Sequence, residues 1–221
     1  MKPSPQTPTP SAPKKRLKRG CLWGLLPLLL IVLWLGYAGG GTAPKSPEEK
    51  SYQVGDFYDD GQKQGIVVEV FADGKSGKMM SLTQAHLRWS VEAETATGAT
   101  DPTNGQNNQR RIEQMADWRT AYPAFAWCAD LGEGWYLPAV EEVKRLMMDR
   151  ATWVKVNEVL KAKGTEMIAD FYWSSTESTA SEAWYLMRQN GFIEERPKTN
   201  YQFVRAFAVF LSRNCVYLPK N

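Results

Sequence analysis

Histidine and cysteine are scarce in this chain. Among its 221 residues there is one histidine, His86, and there are three cysteines. A Ser–His–Asp or Cys–His centre would have to be built on that histidine, and zinc sites made of His and Cys lack the ligands they need. His86 lies in "TQAHLRW" with no catalytic motif around it, which is typical of a surface or packing residue. We therefore expect a protein that is not an enzyme and that has no cofactor or metal centre.

Motifs for phosphate and calcium are also absent. The stretch "GGGTAP" opens no helix, so it does not fit a phosphate-binding loop. The stretches "TDPTNGQNN" and "CADLGEG" contain oxygen ligands, but neither has the spacing of an EF-hand loop. The carboxylate pairs Glu141-Glu142 and Glu194-Glu195 are adjacent in sequence, and neighbours on a helix point apart. We interpret both pairs as solvated faces rather than as acid–base pairs.

Acidic residues are missing from residues 1–20, which contain six basic residues and five prolines. This composition cannot bury a core, and the segment is predicted to be a disordered basic cytoplasmic tail. Removing those six from the 27 basic residues leaves 21 against 24 acidic ones, a net charge of −3. A slightly acidic remainder offers no electrostatic surface for nucleic acid.

Charge is entirely absent from residues 21–38, "CLWGLLPLLLIVLWLGYA". At the helical rise this run spans roughly 27 Å, close to the hydrocarbon thickness of a bilayer. We predict a single transmembrane signal-anchor in the cell membrane, with the basic tail inside and the C-terminal domain periplasmic or extracellular. The alternative is a cleaved signal peptide ending at Gly36-Tyr37-Ala38. Either interpretation places the domain outside the cytoplasm.

Residues 39–50 form a predicted linker rich in Gly, Pro and charge, and residues 51–221 are predicted to form one domain. Alternating and apolar runs predict strands at 65–71, 78–82, 170–175, 182–187 and 201–210. Helices are predicted at 110–118, from Pro123, from Pro138, and at 151–163. A polar loop is predicted at 96–109. The order hairpin, helices, strands predicts an α+β fold with an antiparallel sheet and flanking helices.

Tryptophan is unusually common, with nine in the chain. Outside the apolar run the tryptophans are Trp89, Trp118, Trp127, Trp135, Trp153, Trp173 and Trp184. Exposed tryptophans can stack on sugars or anchor a protein interface, whereas buried ones are core residues. Most of these seven occupy apolar positions of predicted helices or strands, which favours the core for each one taken singly.

Five segments occur in an order that resembles a known family: "VGDFYDDGQKQGIVVEVFADGKSGKMMSL", "TGATDPTNGQNN", "YPAFAWCADLGEGWYLPAVEEVKRL", "YWSSTES" with "AWYL", and "VRAF". Over residues 51–210 the chain resembles the Lcl C-terminal-like domain family of bacterial envelope proteins, a domain of unknown function close to major-paralogous-domain proteins. The resemblance implies a C-type-lectin-like fold, related to formylglycine-generating enzymes, and adhesins that bind extracellular polysaccharide. The calcium motifs Glu-Pro-Asn and Trp-Asn-Asp and the paired active-site cysteines are missing, which weighs against calcium-dependent sugar binding and oxidase activity.

The same resemblance bears on Cys128. In C-type-lectin-like domains the cysteine of an "A-x-C-x-x-L-G" helix usually pairs with one near the final strand, which implies a Cys128–Cys215 disulfide. An exported domain also lies in an oxidising compartment, where cysteines tend to pair. The alternative is a free Cys128 that is buried as a small apolar residue.

Together these observations predict a membrane-anchored binding module for a glycan or a surface protein. The candidate binding residues lie in or beside the loops "TNGQNN" and "STESTASE", and they are Asn104, Asn107, Trp173, Glu177 and Trp184. The alternative is a structural or assembly component of the envelope without small-ligand binding. A third hypothesis, an enzyme of the formylglycine-generating type, would need two cysteines in an open cleft.

Overall fold

Strands lie at both ends of the described chain, and the helices lie between them. The computed structural model describes residues 50–188 and 192–212. Its strands are β1 (Phe57–Asp59), β2 (Gln64–Val70), β3 (Ser76–Met80), β4 (Ala85–Arg88), β5 (Trp135–Tyr136), β6 (Phe171–Glu177), β7 (Glu182–Met187), β8 (Phe192–Pro197), β9 (Tyr201–Val204) and β10 (Phe207–Leu211). Its helices are α1 (Gly105–Glu113), α2 (Trp118–Ala121), α3 (Pro123–Asp130), α4 (Val140–Met148) and α5 (Arg150–Ala162).

The predicted hairpin is confirmed as β2 and β3. Its turn is closed by Asp73, whose carboxylate accepts hydrogen bonds from the backbone of Lys75 and from both the backbone and the hydroxyl of Ser76. Gly74 has a φ of +66°, a left-handed conformation that favours glycine. Local turn chemistry therefore fixes the hairpin.

The strands form two five-stranded sheets, and the order in the first is β1-β2-β3-β10-β5. All of its pairings are antiparallel. The second sheet has the order β4-β9-β6-β7-β8, and its pairings are antiparallel except for the parallel contact of β6 with β9. The predictions for 170–175 and 182–187 are confirmed as β6 and β7, whereas β4 and β8 were not predicted.

The prediction of one central strand over 201–210 is wrong. The segment is divided into β9 in the second sheet and β10 in the first. Both halves are apolar because both sheets are covered, so the hydrophobic pattern continues across the break. The charged Arg205 stands at the break and was the only signal of it in the sequence.

Arg205 holds this junction together from the inside. It is buried, with 3% of its surface exposed. Its guanidinium donates to the carbonyls of Ser81 at 3.1 Å and Glu166 at 2.7 Å and to the side chain of Gln84 at 3.0 Å. Both terminal nitrogens of the buried cation thus donate to oxygen acceptors from two connecting segments, which the strand break brings within reach. The buried Nε has no hydrogen-bond partner among the described residues.

The core consists of two buried clusters, one on each side of the second sheet. Helices α4 and α5 cover one face, where Val143 and Leu160 pack in the same cluster as Tyr172. On the other face, Trp173 belongs to a cluster with Trp89, whose ring meets that of Phe125 edge-on at 4.9 Å. The second sheet is therefore packed on one face by helices and on the other, in part, by α3 and the segment after β4.

Two helix starts differ from the prediction. Helix α1 begins at Gly105 rather than at 110, because the Asn104 side chain accepts from the backbone N–H of Gln106 and Asn107 as an N-cap. Helix α4 begins at Val140, two residues beyond Pro138. Helix α3 begins at Pro123 as predicted. The third predicted helix is confirmed as α5.

The predicted α+β class with largely antiparallel sheets and flanking helices is confirmed. Within residues 50–188 and 192–212, no helix combines the length and apolar character needed to cross a bilayer. The predicted tail, signal-anchor and most of the linker lie outside the described residues.

Candidate functional site

The predicted candidates Asn104 and Asn107 are occupied in building their own loop. Asp101 accepts from the backbone N–H of Asn104 at 3.0 Å and from the Asn107 amide at 2.6 Å. Burial would raise the pKa of Asp101, but the hydrogen bonds from Asn107 and Thr103 outweigh it and lower the pKa. These polar groups satisfy one another and position the start of α1, which leaves little capacity for a ligand.

Glu177, the third candidate, forms a buried ion pair. Lys198 Nζ lies 2.8 Å from Glu177 Oε2, and the side chains are 1% and 5% exposed. The carboxylate also accepts from the backbone and hydroxyl of Thr97 at 2.7 and 2.6 Å and from Gly98 N at 3.2 Å. We call these four residues the Glu177 clasp.

The Lys198 ammonium completes the clasp from the other side. It donates to the carbonyls of Thr95 at 2.9 Å and Ala180 at 2.7 Å, and it lies 4.8 Å from the Trp89 ring centroid. Burial lowers the pKa of Lys198. Burial would raise the pKa of Glu177, but hydrogen bonds from Lys198 and Thr97 outweigh it and lower the pKa. The clasp therefore pins the 95–98 segment to the end of β6.

The candidate tryptophans are core residues. Trp173 is fully buried, and its indole donates to the carbonyl of Leu87 at 3.1 Å. Trp184 is half-buried and packs against the cluster under α4 and α5, on the opposite face of the sheet from Trp173. None of the seven tryptophans in the described ranges is exposed. The structure thus brings Asn104 and Asn107 together around Asp101 but does not assemble the five candidates into one site.

The interpretation of Glu141-Glu142 as a solvated face is wrong for Glu142. This side chain is buried and lies 2.8 Å from Lys78 Nζ. It also accepts from Gly105 N at 3.0 Å, Ala139 N at 2.8 Å and the Tyr136 hydroxyl at 3.0 Å. With every oxygen engaged by a donor, Glu142 links the starts of α1 and α4 to the first sheet.

Cys128 is fully buried in the same cluster as Trp173. Burial raises the pKa of its thiol well above the ordinary value, which makes it a poor nucleophile. Cys128 has no disulfide partner among the described residues, and Cys215 lies outside them. The disulfide stays a prediction.

A depression that sequence reasoning missed lies on the second sheet. It has a volume of about 330 Å³, and its lining, which we call the open face, comprises Phe171, Tyr185, Met187, Arg196, Asn200 and Gln202. In the β6–β7 and β7–β8 registers, Met187 lies opposite both Phe171 and Phe192. Residues opposite one another in antiparallel strands share a face, so all three rise from the same side of the sheet. Phe192, beside the depression, is 54% exposed.

The open face combines apolar surface with free hydrogen-bonding groups. The rings of Phe171 and Tyr185 are nearly parallel, at 13° with centroids 6.4 Å apart. The amides of Asn200 and Gln202 make no hydrogen bond to any other described residue. Among the polar side chains that line this depression, these two are the ones without a partner in the described ranges. A concave lining of this mixed kind is typical of ligand sites.

Two other depressions have most of their polar side chains already engaged. In the cleft between α1 and β5, the Gln109 amide donates to Glu113 at 2.9 Å and to the Phe125 carbonyl at 3.2 Å. In the groove along α4, Lys144 pairs with Glu141 at 3.2 Å. In the ranges that the structure describes, no three His, Cys, Asp or Glu side chains cluster as metal ligands. The open face is therefore the best candidate site.

Sequence pattern alone could not identify the open face. Strands β6 and β7 are apolar at both odd and even positions, because each face carries part of the core. Which face stays partly uncovered depends on where α4, α5 and α3 pack. Only Gln202, a polar residue within the apolar run 201–210, marked this side of the sheet.

Comparisons with known proteins add a likeness of fold. No protein-family model matches the chain, and no curated protein matches it significantly. Among solved structures, the chain is similar to a fimbrial protein from Bacteroides ovatus, with a TM-score of 0.51 and 22% identity. The match covers 61% of this chain and 36% of the fimbrial protein, so this chain matches about a third of that protein's length. At this identity the likeness shows a shared fold over the matched part.

Proposed function

We propose that this chain is a membrane-anchored, extracytoplasmic binding module whose ligand, a glycan or a surface protein, rests on the open face. The observation that carries the proposal is the pairing of the half-buried Phe171 ring, with the exposed Phe192 ring beside it, and the amides of Asn200 and Gln202, which make no hydrogen bond to another described residue. The similar solved structure is that of a fimbrial protein, which supports a role at the cell surface. The uncharged run 21–38 supports attachment to the membrane.

The proposal extends to the finer fold, a C-type-lectin-like domain of the Lcl C-terminal-like family. Support comes from α3, where Ala126 and Cys128 are buried and Gly132 follows the helix with a φ of +125°. The test is peptide mapping of the full chain under non-reducing conditions. A Cys128–Cys215 peptide is expected, and free thiols at both positions in protein isolated from the oxidising compartment would contradict the pairing.

Binding is tested with the full chain in nanodiscs, screened against immobilised glycans and purified envelope proteins. The variants Phe171→Ala and Gln202→Ala are expected to weaken binding to the recognised ligand by at least roughly tenfold, as removal of an interface anchor does. The matched control is Tyr201→Ala, which removes an aromatic ring that is 51% exposed on the other face of the sheet. A ligand bound equally by all variants, or no ligand on either array, would overturn the proposal.

Topology is tested by adding protease to spheroplasts that express the chain. The domain beyond residue 50 should be digested while the 1–20 tail is spared. A protected domain with a digested tail would show the opposite orientation.

A structural or assembly component of the envelope is the second candidate function. Of the seven tryptophans in the described ranges, three are buried and four are half-buried, which favours it, because no indole stands fully exposed as an interface anchor. In that case deletion of the gene would alter envelope integrity, and the Phe171→Ala and Gln202→Ala variants would restore it as well as the unaltered chain.

A further inference from the structure

Charges around the open face are neutralised within the protein. Arg196 is the cation that lines the depression, and its guanidinium donates to Glu194 at 2.9 Å and to the Tyr185 hydroxyl at 3.1 Å. At the end of the neighbouring strand, Arg188 pairs with Asp170 at 3.1 Å. The surface therefore presents no unpaired charge to a ligand among its described residues.

We propose that the open face selects a neutral saccharide chain over one that carries carboxylate or sulfate groups. This inference rests on the proposed function and names its ligand class. The physical basis is complementarity: a pyranose ring has an apolar C–H side and a rim of hydroxyls. The Phe171 ring and the Met187 thioether supply the apolar surface.

The amides of Asn200 and Gln202 fit the hydroxyl rim. Each amide has one carbonyl acceptor and two N–H donors, so it can both accept from and donate to neighbouring hydroxyls. Neither amide has a partner to lose within the described chain, so a sugar gains these hydrogen bonds without breaking internal ones. A polar group that is satisfied only in the complex gives specificity as well as affinity.

An anionic saccharide would meet an unfavourable arrangement. To reach the Arg196 guanidinium, a sulfate or carboxylate would approach the Glu194 carboxylate, which already lies 2.9 Å from Arg196. Like charges brought together at a binding surface disfavour the wrong partner. The same strand carries Glu195 on its other face, opposite Trp184, where it cannot act on a ligand of the open face.

The experiment measures binding of the full chain in nanodiscs to neutral glucan, mannan and galactan oligosaccharides and to a sulfated derivative of each. A neutral oligosaccharide is expected to bind at least roughly tenfold tighter than its sulfated counterpart, with little dependence on salt. Phe171→Ala should abolish that binding. Glu194→Gln, which frees Arg196, should strengthen binding of the sulfated form at least roughly tenfold and leave the neutral form unchanged. Glu195→Gln is the control and should change neither.

The outcomes separate this inference from the proposed function. If binding depends on Phe171 but the sulfated form binds as tightly as the neutral one, the charge selectivity is wrong and the binding function stands. If no oligosaccharide of either kind binds, the saccharide assignment fails, and the open face is then tested with envelope proteins alone. If Phe171→Ala binds a saccharide normally, the open face is not the site.

Discussion

Replacing Glu177 with Gln tests whether the Glu177 clasp is structural. The substitution keeps the side-chain shape but removes the charge opposite Lys198, whose ammonium is 1% exposed. Leaving one partner of a buried pair uncompensated costs about 3–5 kcal/mol, and the carbonyls of Thr95 and Ala180 still accept from Lys198, so we expect about 3 kcal/mol. For a domain of this size that loss lowers the melting temperature by roughly 6–12 °C.

The assay is thermal unfolding of Glu177→Gln, Lys198→Met and the double variant, followed by circular dichroism. The double variant should be more stable than the sum of the single losses predicts, by about 1–3 kcal/mol, because the two residues interact directly. The matched control Glu195→Gln, at an exposed carboxylate, should stay within about 0.5 kcal/mol. A Glu177→Gln loss no larger than that of the control would refute the reasoning.

The pH dependence has a definite sign. Because the folded-state pKa of Glu177 is lowered, its contribution is complete above the ordinary glutamate pKa of about 4.3 and is lost as the pH falls through the folded-state value. The free energy of unfolding of the unaltered chain should therefore exceed that of the Glu177→Gln variant by less in acid than at neutral pH. A difference that stays constant from about pH 7 to about pH 3 would contradict a charged clasp.

Four further substitutions probe the framework beneath the site, each measured by urea unfolding. Arg205→Met should lower the free energy of unfolding by about 3–4 kcal/mol, because the buried carbonyls that accept from the guanidinium lose their donor. A loss below about 1 kcal/mol would show that β9 and β10 hold the junction without Arg205. Gly77→Ala places a Cβ 2.0 Å from the Glu69 carbonyl and should lower the free energy of unfolding by more than about 2 kcal/mol. Gly74→Ala has no neighbour within 4 Å of the added Cβ, but it forces alanine into a left-handed backbone conformation and should lower the free energy of unfolding by about 1–2 kcal/mol. Glu142→Gln removes one of two carboxylates beside Lys78, because Glu69 also lies 3.1 Å from the ammonium, so the loss should be about 1–3 kcal/mol. Stability equal to that of the unaltered chain would show that the Glu142 charge is not needed.

Local chemistry was the part of the fold that the sequence predicted well. The Asp73-Gly74 turn, the Pro123 start of α3 and the glycine after α5 each depend on residues within a few positions of one another. Gly164 has a φ of +68°, as expected of a residue that ends a helix. Such signals need no knowledge of distant contacts, so the hairpin, helices α3 and α5 and two of the later strands were predicted close to their observed positions, whereas α1 starts at Gly105 instead of 110 and α2 was not predicted.

Long-range packing decided the features that were missed. The run 201–210 has the pattern of one strand because the residues on both sides of Arg205 are apolar, although one side packs in the second sheet and the other in the first. Glu142 reads as a surface residue because its partners, Gly105 N and Lys78, lie far away in sequence. Hydrophobic periodicity cannot predict contacts between residues that only the topology brings together.

The candidate binding residues failed for a related reason. Asn104 caps α1, Asn107 lies in its first turn and Glu177 ends β6. A polar residue at such a position can serve a ligand or the fold itself, and composition cannot distinguish the two. In the structure a long connection without regular structure, from Trp89 to Asn104, needs many hydrogen-bond partners of its own. The candidate side chains are already engaged in hydrogen bonds that hold this connection in place.

The hydrogen bonds that fix the long connection also bear on the open face. Because the Glu177 clasp and Asp101 fix the long connection against the end of β6, the sheet beneath it is held rigidly without any ligand. Binding on a surface of this kind costs little conformational entropy, since the aromatic rings already stand in place on paired strands. The amides of Asn200 and Gln202, which have no hydrogen-bond partner among the described residues, then have a defined position relative to Phe171. If a ligand rests on the open face as proposed, it would contact the half-buried Phe171 ring and both amides at once.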